Sequence, residues 1–180
     1  IEQCVIDGNN AQQLGSGMYF EVGNSQIIDS NIINQVGSTL YAVYVANEFF
    51  NPPSQSSISI RRSNISGNSG GGLSAFRSLI NISYSNIESN QGEYGLYTDL
   101  SELLLQNSNI NSNFQNGVGI EDSSTAQILN SYVTSNQGSY GIYITDSNNI
   151  ILENSVIDSN DQYGIWIESD STVDFFNNDI

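Results

Sequence analysis

The chain has 180 residues, of which 19 are acidic, 3 are basic and none is histidine, so its formal net charge is −16 at pH 7. Nucleic acid is excluded as a partner, because phosphate contacts need basic side chains and only Arg61, Arg62 and Arg77 are present. Membrane insertion is not predicted, since there is no apolar run of about 18 residues. Strong acidity with many Asn and Ser residues is typical of solvated surface proteins, and we expect an extracellular or cell-surface location.

A repeat of about 23 residues extends through the whole chain. The phrase Ser-Asn-Ile-Glu-Ser-Asn at residues 85–90 recurs with small changes, and its copies begin at Cys4, Ser30, Ser63, Ser85, Ser108, Ser131, Ser155 and Asn178. A period of about 20 to 50 residues is the signature of a solenoid, in which each repeat forms one coil.

Each copy carries a β-branched anchor residue: Ile6, Ile32, Ile65, Ile87, Ile110, Val133, Ile157 and Ile180. Apolar residues also precede the anchor by five positions: Ile1, Ile27, Ile60, Ile82, Leu105, Ile128, Leu152 and Phe175. Others precede it by seven positions: Ile58, Ile80, Leu103, Ala126, Ile150 and Val173. Alternation with a period of two indicates strands with one buried face.

A second short strand follows each anchor with the pattern Gly-apolar-x-apolar, as at residues 95–98, 141–144 and 164–167. Turn-forming Gly, Asn, Ser and Asp residues separate the strands. Stacked coils of this kind predict an all-β fold, a right-handed single-stranded parallel β-helix of about seven to eight coils that forms a single domain over residues 1–180. A left-handed helix would need a hexapeptide rhythm, which is absent.

The Gly-Ile-Tyr-Ile phrase at residues 141–144 and the Ser-Asn-Ile-x-Ser-Asn phrases resemble the parallel β-helix repeat family. That family includes pectate-lyase-like enzymes, phage tailspikes and surface adhesins. The resemblance covers nearly the whole chain; it implies the fold and leaves the activity open.

The same resemblance provides a test for catalysis. Lyases of the family use a basic residue beside bound calcium, and its hydrolases carry His and Lys signatures, but this chain has neither His nor Lys. Our alignment places its three arginines on a different part of the coil from its acidic residues, so we do not predict an enzyme. A carboxylate pair drawn from Glu121, Asp122 and Asp146 is the alternative, for glycoside hydrolysis.

The ends of the chain carry no polar cap, and the sequence begins inside a coil. We therefore expect further coils or partner chains to continue the solenoid. Cys4 is the single cysteine and stands where other coils have Ser or Asn, which predicts a buried thiol in place of a serine. The alternatives are an intermolecular link and a reactive thiol.

One coil contains an insertion of about ten residues at 46–57, where Phe49 and Phe50 precede two prolines. It predicts either an apolar tip that docks on a partner or a loop folded back over Phe76. Two sequons, at Asn64 and Asn81, are predicted to point outward. They would accept glycans in a secreted eukaryotic protein, with chance occurrence as the alternative.

An amide column lies three positions after the anchors: Asn9, Gln35, Asn68, Asn90, Asn113, Asn136 and Asn160. Asn side chains stacked coil on coil can bond to each other and to turn backbone, so we predict a structural ladder.

An outward aromatic column follows on the second strand: Tyr19, Tyr44, Tyr97, Tyr143 and Trp166, interrupted by Ser74 and Gly119, with Tyr94, Tyr140 and Tyr163 just before the glycines. Exposed rings suit sugar stacking or packing against another chain. The alternative is simple cross-strand stacking within the sheet.

An acidic column lies two residues further on: Glu21, Asp99, Glu121 and Glu168, with Asp122, Asp146 and Asp170 close by. Carboxylates of adjacent coils could share Ca²⁺, which takes six to eight oxygen ligands. The weak repulsion between neighbouring carboxylates in water requires no metal, so calcium is allowed and no cofactor is required.

The function predicted from these features is a non-catalytic, extracellular structural or adhesive segment. It would assemble with copies of itself or with neighbouring β-helix segments through repeated lateral or end-to-end contacts. The alternative is a β-helix that binds or cleaves carbohydrate, with a polysaccharide or glycan as its partner.

Overall fold

The chain winds into three parallel sheets, which a computed structural model shows for residues 1–11, 15–21, 23–37, 41–47, 56–168 and 170–180. Each full coil contributes one strand to each sheet, so the coils stack as the 23-residue period predicts. The described residues contain no helix long and apolar enough to cross a membrane.

The first sheet holds the anchors in seven short strands: β1 (Val5–Asp7), β4 (Asn31–Ile33), β7 (Asn64–Ser66), β10 (Asn86–Glu88), β13 (Asn109–Asn111), β16 (Tyr132–Thr134) and β19 (Val156–Asp158). The second sheet holds the Gly-apolar-x-apolar strands: β2 (Met18–Glu21), β5 (Tyr41–Ala46), β8 (Gly71–Phe76), β11 (Tyr94–Asp99), β14 (Asn116–Glu121), β17 (Tyr140–Ile144) and β20 (Tyr163–Ile167). The third sheet precedes the anchors: β3 (Asn24–Ile28), β6 (Ser56–Arg61), β9 (Ser78–Ser83), β12 (Glu102–Gln106), β15 (Thr125–Leu129), β18 (Ile150–Glu153) and β21 (Val173–Phe176).

The register confirms the three apolar columns of the repeat. Ile87 pairs with Ile110 in the first sheet, and Leu105 pairs with Ile128 in the third. These four side chains are 0 % exposed, as are most of the inward residues of the second sheet. Burying an aliphatic side chain contributes about 1.5 to 3 kcal/mol, so the core is a stack of small layers, one per coil.

Most corners between sheets are built from one residue with positive φ followed by a buried polar residue. Between the third and first sheets, Asn107 has φ 49° and Ser108 is 1 % exposed. Ser108 Oγ accepts from the backbone N–H of Ser85 at 3.1 Å and donates to the carbonyl of Gln106 at 2.8 Å. Serine ladders of this form run along two of the three corners, and the sequence analysis did not foresee them.

The third corner carries the predicted amide ladder. Asn113 donates from Nδ2 to Asn136 Oδ1 at 3.0 Å and to the carbonyl of Ile87 at 3.2 Å. Its own Oδ1 accepts from both the backbone N–H and the Nδ2 of Asn90, each at 3.1 Å. The glycine column makes room for this ladder, since a Cβ on Gly95 would lie 2.4 Å from Asn113 Nδ2.

Cys4 joins one of these ladders but is exposed, so the prediction of a buried thiol was wrong. The prediction of a serine-like position is confirmed, because Sγ donates to the carbonyl of Glu2 at 3.1 Å just as the ladder serines do. The thiol is uncovered because Cys4 lies in the first coil, which has a neighbouring coil on one side only in this structure.

The insertion leaves the path of the solenoid intact. β5 ends at Ala46 and β6 begins at Ser56, whose Oγ donates to the carbonyl of Ala46 at 2.9 Å. Residues 48–55 lie outside the described residues, and with them the predicted docking tip at Phe49 and Phe50.

Candidate functional site

Two columns of outward residues lie side by side on the second sheet, and together we call them the aromatic face. The first column follows the predicted register: Tyr19, Tyr44, Ser74, Tyr97, Gly119, Tyr143 and Trp166. The second lies at the start of the same strands: Tyr41, Gly71, Tyr94, Asn116, Tyr140 and Tyr163.

The rings of the aromatic face pack against one another, some stacked and some tilted. Tyr19 and Tyr44 stack with centroids 5.7 Å apart and planes 7° apart, while Tyr163 and Trp166 are 4.9 Å apart with planes tilted by 60°. Tyr19, Tyr163 and Trp166 are exposed, whereas Tyr44, Tyr97 and Tyr143 are half-buried. Stacked rings such as Tyr19 and Tyr44 therefore cover part of each other's faces and leave their edges more open to solvent.

At the two interruptions of the column, rings from neighbouring coils occupy the space that a larger side chain would fill. Tyr41 reaches across one coil to stack on Tyr97 at 6.1 Å. A Cβ on Gly119 would lie 2.8 Å from the ring of Tyr94 and 2.9 Å from that of Tyr97, so only glycine leaves room for them. Tyr41 was not predicted as part of this face, although it precedes Ala42 just as Tyr94 precedes Gly95.

Glu121 is the most enclosed carboxylate of this face. Its Oε1 accepts from the hydroxyl of Tyr94 at 3.2 Å, and its Oε2 accepts from the hydroxyl of Tyr97 at 3.1 Å. Burial raises the pKa of Glu121, and the two hydroxyl hydrogen bonds oppose the rise. Burial also raises the pKa of both tyrosines, with the charge of Glu121 adding to the effect, so they remain neutral donors at physiological pH.

Asp99 pairs with Glu121 in the register and shares this environment. Burial, followed by the charge of Asp122, raises the pKa of Asp99, while Arg77 lowers it. One oxygen of Asp99, Oδ1, is buried and has no hydrogen-bond partner among the described residues.

Arg77 lies beside the acidic column, so its predicted separation from the acidic residues was wrong. Its backbone N–H donates to the carbonyl of Asp99 at 3.0 Å, and its guanidinium carbon is 4.7 Å from the centre of the Phe76 ring. The reason is the corner, which begins with Arg77 directly after β8 and so keeps it next to the strand ends. Arg62 does lie elsewhere, paired with Asp29 at 2.6 Å on another corner.

The predicted calcium ligands are spread along the edge of the face. Thr145 separates Glu121 from Glu168, and its Oγ1 donates to Glu168 Oε2 at 3.3 Å. Asp122 and Asp146 occupy corner positions with positive φ, at 50° and 46°. Among the described residues, no group of three or more acidic, His or Cys side chains is placed to hold a metal ion. Calcium binding remains a prediction.

The two sequons differ in their surroundings. Asn81 is exposed on the third sheet. Asn64 is half-buried; its Nδ2 donates to Ser66 Oγ at 2.9 Å, and its Oδ1 is buried with no partner in the part of the chain that the structure describes. Glycosylation of either residue remains a prediction, and Asn81 is the more accessible of the two.

A family model described as a right-handed β-helix region matches residues 1–180. The chain belongs to the right-handed β-helix family. No curated protein sequence matches the chain. Among solved structures, the A-module of the mannuronan C-5 epimerase AlgE4 from Azotobacter vinelandii is similar with a TM-score of 0.68 and 18 % identity, over 98 % of this chain and 53 % of that one. The pectate lyase Pel9A is similar with a TM-score of 0.38 and 11 % identity, over 67 % of this chain and 46 % of that one.

The family model and the similarity to the epimerase module show the β-helix fold. Both similar structures are enzymes named for a polysaccharide, and this chain spans about half the length of each. Handedness and coil architecture therefore agree with the sequence prediction, while the activity of this β-helix is a matter for proposal.

The environment of Glu121 predicts a pH-dependent stability for this β-helix. Because its pKa is raised on folding, the native state binds the proton more tightly than the unfolded chain, and stability falls as the pH rises from the ordinary Glu pKa through the raised one. Glu121→Gln should therefore raise the melting temperature at neutral pH and leave it nearly unchanged at pH values below the ordinary Glu pKa. Thermal scans at several pH values measure the difference.

The matched control is Glu102→Gln, which removes the same charge from an exposed position on the third sheet. It corrects for the general benefit of reducing the net charge of −16. Equal rises in both variants at neutral pH would contradict a special environment at Glu121.

Proposed function

We propose that this chain is a rigid, non-catalytic structural and adhesive segment of an extracellular or cell-surface protein. The observation that supports the proposal best is the register of the second sheet, which keeps the aromatic face aligned over seven strands. Ring edges and carboxylates recur from coil to coil along this face. Contacts that are individually weak therefore multiply along the rod when the partner has a matching repeat.

The strong negative net charge of the protein limits which partners it can bind. Two unit charges about 4.8 Å apart in water repel by only about 0.9 kcal/mol, but a contact between two copies would bring many carboxylates together on a chain of net charge −16. Lateral assembly therefore needs contacts between ring edges, with calcium or another cation to bridge carboxylates such as Glu21 and Glu168.

Carbohydrate binding is the second candidate. It is favoured by the fold match to a mannuronan epimerase module over 98 % of this chain and by a surface rich in tyrosine. We propose binding without cleavage, because the chain has no His or Lys and both oxygens of Glu121 are already engaged by tyrosine hydroxyls. An uncharged polysaccharide fits best, since a polyuronate would be repelled.

Electron microscopy of the purified protein, with and without calcium, tests the structural role. We expect ordered fibres or lateral bundles from the wild type and isolated rods from the double variant Tyr143→Ala, Trp166→Ala, because the substitutions remove two rings of the aromatic face. Tyr132→Ala is the control, since Tyr132 is 52 % exposed on the first sheet, away from that face. Isolated wild-type rods under both conditions would contradict assembly.

A further inference from the structure

Four aromatic side chains form a compact ring cluster on β17 and β20 of the aromatic face: Tyr140, Tyr143, Tyr163 and Trp166. Tyr140 lies at its centre, and the distances from its centroid to those of the other three rings range from 5.2 to 6.1 Å. The plane of Trp166 is tilted by 40° from that of Tyr140 and by 60° from that of Tyr163. Tilted rings leave wedges between their planes, so parts of the ring faces stay open to a partner.

The ring cluster is accessible from solvent. Tyr163 is 46 % exposed and Trp166 is 37 % exposed, whereas Tyr140 and Tyr143 are half-buried. A group of exposed rings in mutual contact on an otherwise polar surface is typical of an interaction site. Because β17 pairs with a neighbouring strand on both sides, its backbone is not available for strand addition, and a partner has to bind through side chains.

The surroundings of the ring cluster are uniformly acidic. All three basic residues of the chain precede β9, so the strands from β9 to β21 carry no positive side chain. Glu168 follows Trp166 by two positions and is exposed, and Asp146 is exposed at the corner after β17. A chain with a net charge of −16 attracts a cationic partner and repels a second copy of itself. The charge therefore favours a basic partner.

The spacing of the coils favours one conformation of that partner. Parallel strands are about 4.8 Å apart, so the rings of β11 and β17, which are separated by two coils, lie about 9.6 Å apart along the rod. A polyproline II helix rises about 3.1 Å per residue with three residues per turn, so it presents the same face about every 9.3 Å. A β-strand presents the same face about every 6.8 Å, which matches neither one coil nor two. Tyr94 and Tyr97 on β11 and the ring cluster on β17 therefore match successive turns of a polyproline II helix.

The side chains that such a surface recognises are proline and arginine. Proline-rich segments dock against aromatic side chains, and a guanidinium stacks on a ring while it donates to a nearby carboxylate. Trp166 and Glu168 offer this pair of groups, because they are two positions apart and both are exposed. The protein uses the same chemistry internally at Arg77, which stacks over the ring of Phe76 at 4.7 Å beside the strand that holds Asp99.

We propose that the aromatic face binds a cationic, proline-rich segment of another protein, in the polyproline II conformation and parallel to the rod axis. The proposal rests on the adhesive role proposed above and names the chemistry of its partner. The prolines pack into the wedges between the tilted rings of the ring cluster. The basic side chains, one per turn, reach the carboxylates of Glu168 and Asp146 at the edge of the face.

The test is fluorescence anisotropy with a labelled peptide of five Pro-Pro-Arg repeats, which presents one arginine per turn, at an ionic strength of about 0.15 M. The wild type should bind this peptide about tenfold more tightly than five Gly-Ser-Arg repeats, which carry the same charge on a flexible chain. The double variant Tyr143→Ala, Trp166→Ala should bind it about tenfold more weakly than the wild type, because two rings of the cluster are lost. Tyr132→Ala, on the first sheet, should bind like the wild type and is the matched control. Circular dichroism verifies that all variants are folded.

A second pair of variants separates the contribution of charge from that of the rings. Glu168→Gln, Asp146→Asn should weaken binding of the Pro-Pro-Arg peptide about threefold and reduce its dependence on salt, because two carboxylates beside the rings are neutralised. Glu102→Gln, Glu153→Gln removes the same number of charges from the third sheet and should have a smaller effect. Equal effects of the two changes would contradict a contact at the edge of the aromatic face.

The other outcomes also overturn the proposal. Equal binding of the Gly-Ser-Arg peptide would show that charge alone attracts it, and unchanged binding in Tyr143→Ala, Trp166→Ala would move the site off the aromatic face. If the wild type ignored both peptides, bundles that this variant cannot form would assign the face to a second copy. Retardation by the neutral glucan hydroxyethyl cellulose in affinity gels, lost in the same variant, would assign it to carbohydrate. Isolated rods in the microscope would contradict assembly and leave the peptide result unaffected, so the two proposals fail separately.

Discussion

Replacing Asn113 with alanine is expected to lower the free energy of unfolding by about 3 kcal/mol, because the change removes a buried amide that serves three coils. Asn113 is 0 % exposed and accepts two hydrogen bonds from Asn90. Alanine would leave the buried backbone N–H of Asn90 without an acceptor and the carbonyl of Ile87 without the Nδ2 donor. Urea unfolding followed by circular dichroism measures the loss.

The control for this change is Asn81→Ala, which removes the same kind of side chain from an exposed position. The side chain of Asn81 makes no hydrogen bond within the described structure. It should alter stability by no more than about 0.5 kcal/mol. Similar losses in the two variants would show that the ladder amides contribute no more than any surface asparagine.

Leu105→Ala is expected to cost about 2 to 5 kcal/mol, whereas Leu104→Ala should cost less than about 1 kcal/mol. The two leucines are adjacent in β12, but Leu105 is 0 % exposed in the core and Leu104 is half-buried on the outward face of the third sheet. Successive strand residues point to opposite faces of the sheet. The difference in stability between the two variants therefore tests which leucine faces the core. A larger loss for Leu104 would mean that the strand is shifted by one residue.

The fold could be predicted from the sequence because burial in a solenoid is periodic. An inward residue such as Ile110 pairs with the residue at the same repeat position in the coil before it and in the coil after it. An apolar column of the repeat therefore becomes one continuous column of the core. The amide ladder was predictable for the same reason. Even Gln35, the exception in that column, accepts from Asn9 with its side-chain oxygen, at 3.0 Å from Nδ2.

The candidate surfaces were less predictable, because the contacts of an outward side chain depend on the direction in which it points as well as on the strand register. Tyr41 leans across a coil to Tyr97, and the hydroxyls of Tyr94 and Tyr97 reach Glu121 over Gly119. These contacts depend on side-chain rotamers, which the aligned sequence does not specify. Arg77 was misplaced because it begins the corner directly after β8 and so stays next to the ends of the second-sheet strands.

The ladders also determine how the chain can fold and how it can grow. A ladder bond such as that between Asn90 and Asn113 joins residues 23 positions apart, so the ladders tie each coil only to its immediate neighbours. Folding of such a rod spreads from any nucleus of two or three docked coils, in the manner of a zipper. Duplication of one coil would insert a complete set of Asn, Ser and Ile positions, so the rod could be lengthened by whole coils without interrupting its ladders or its core.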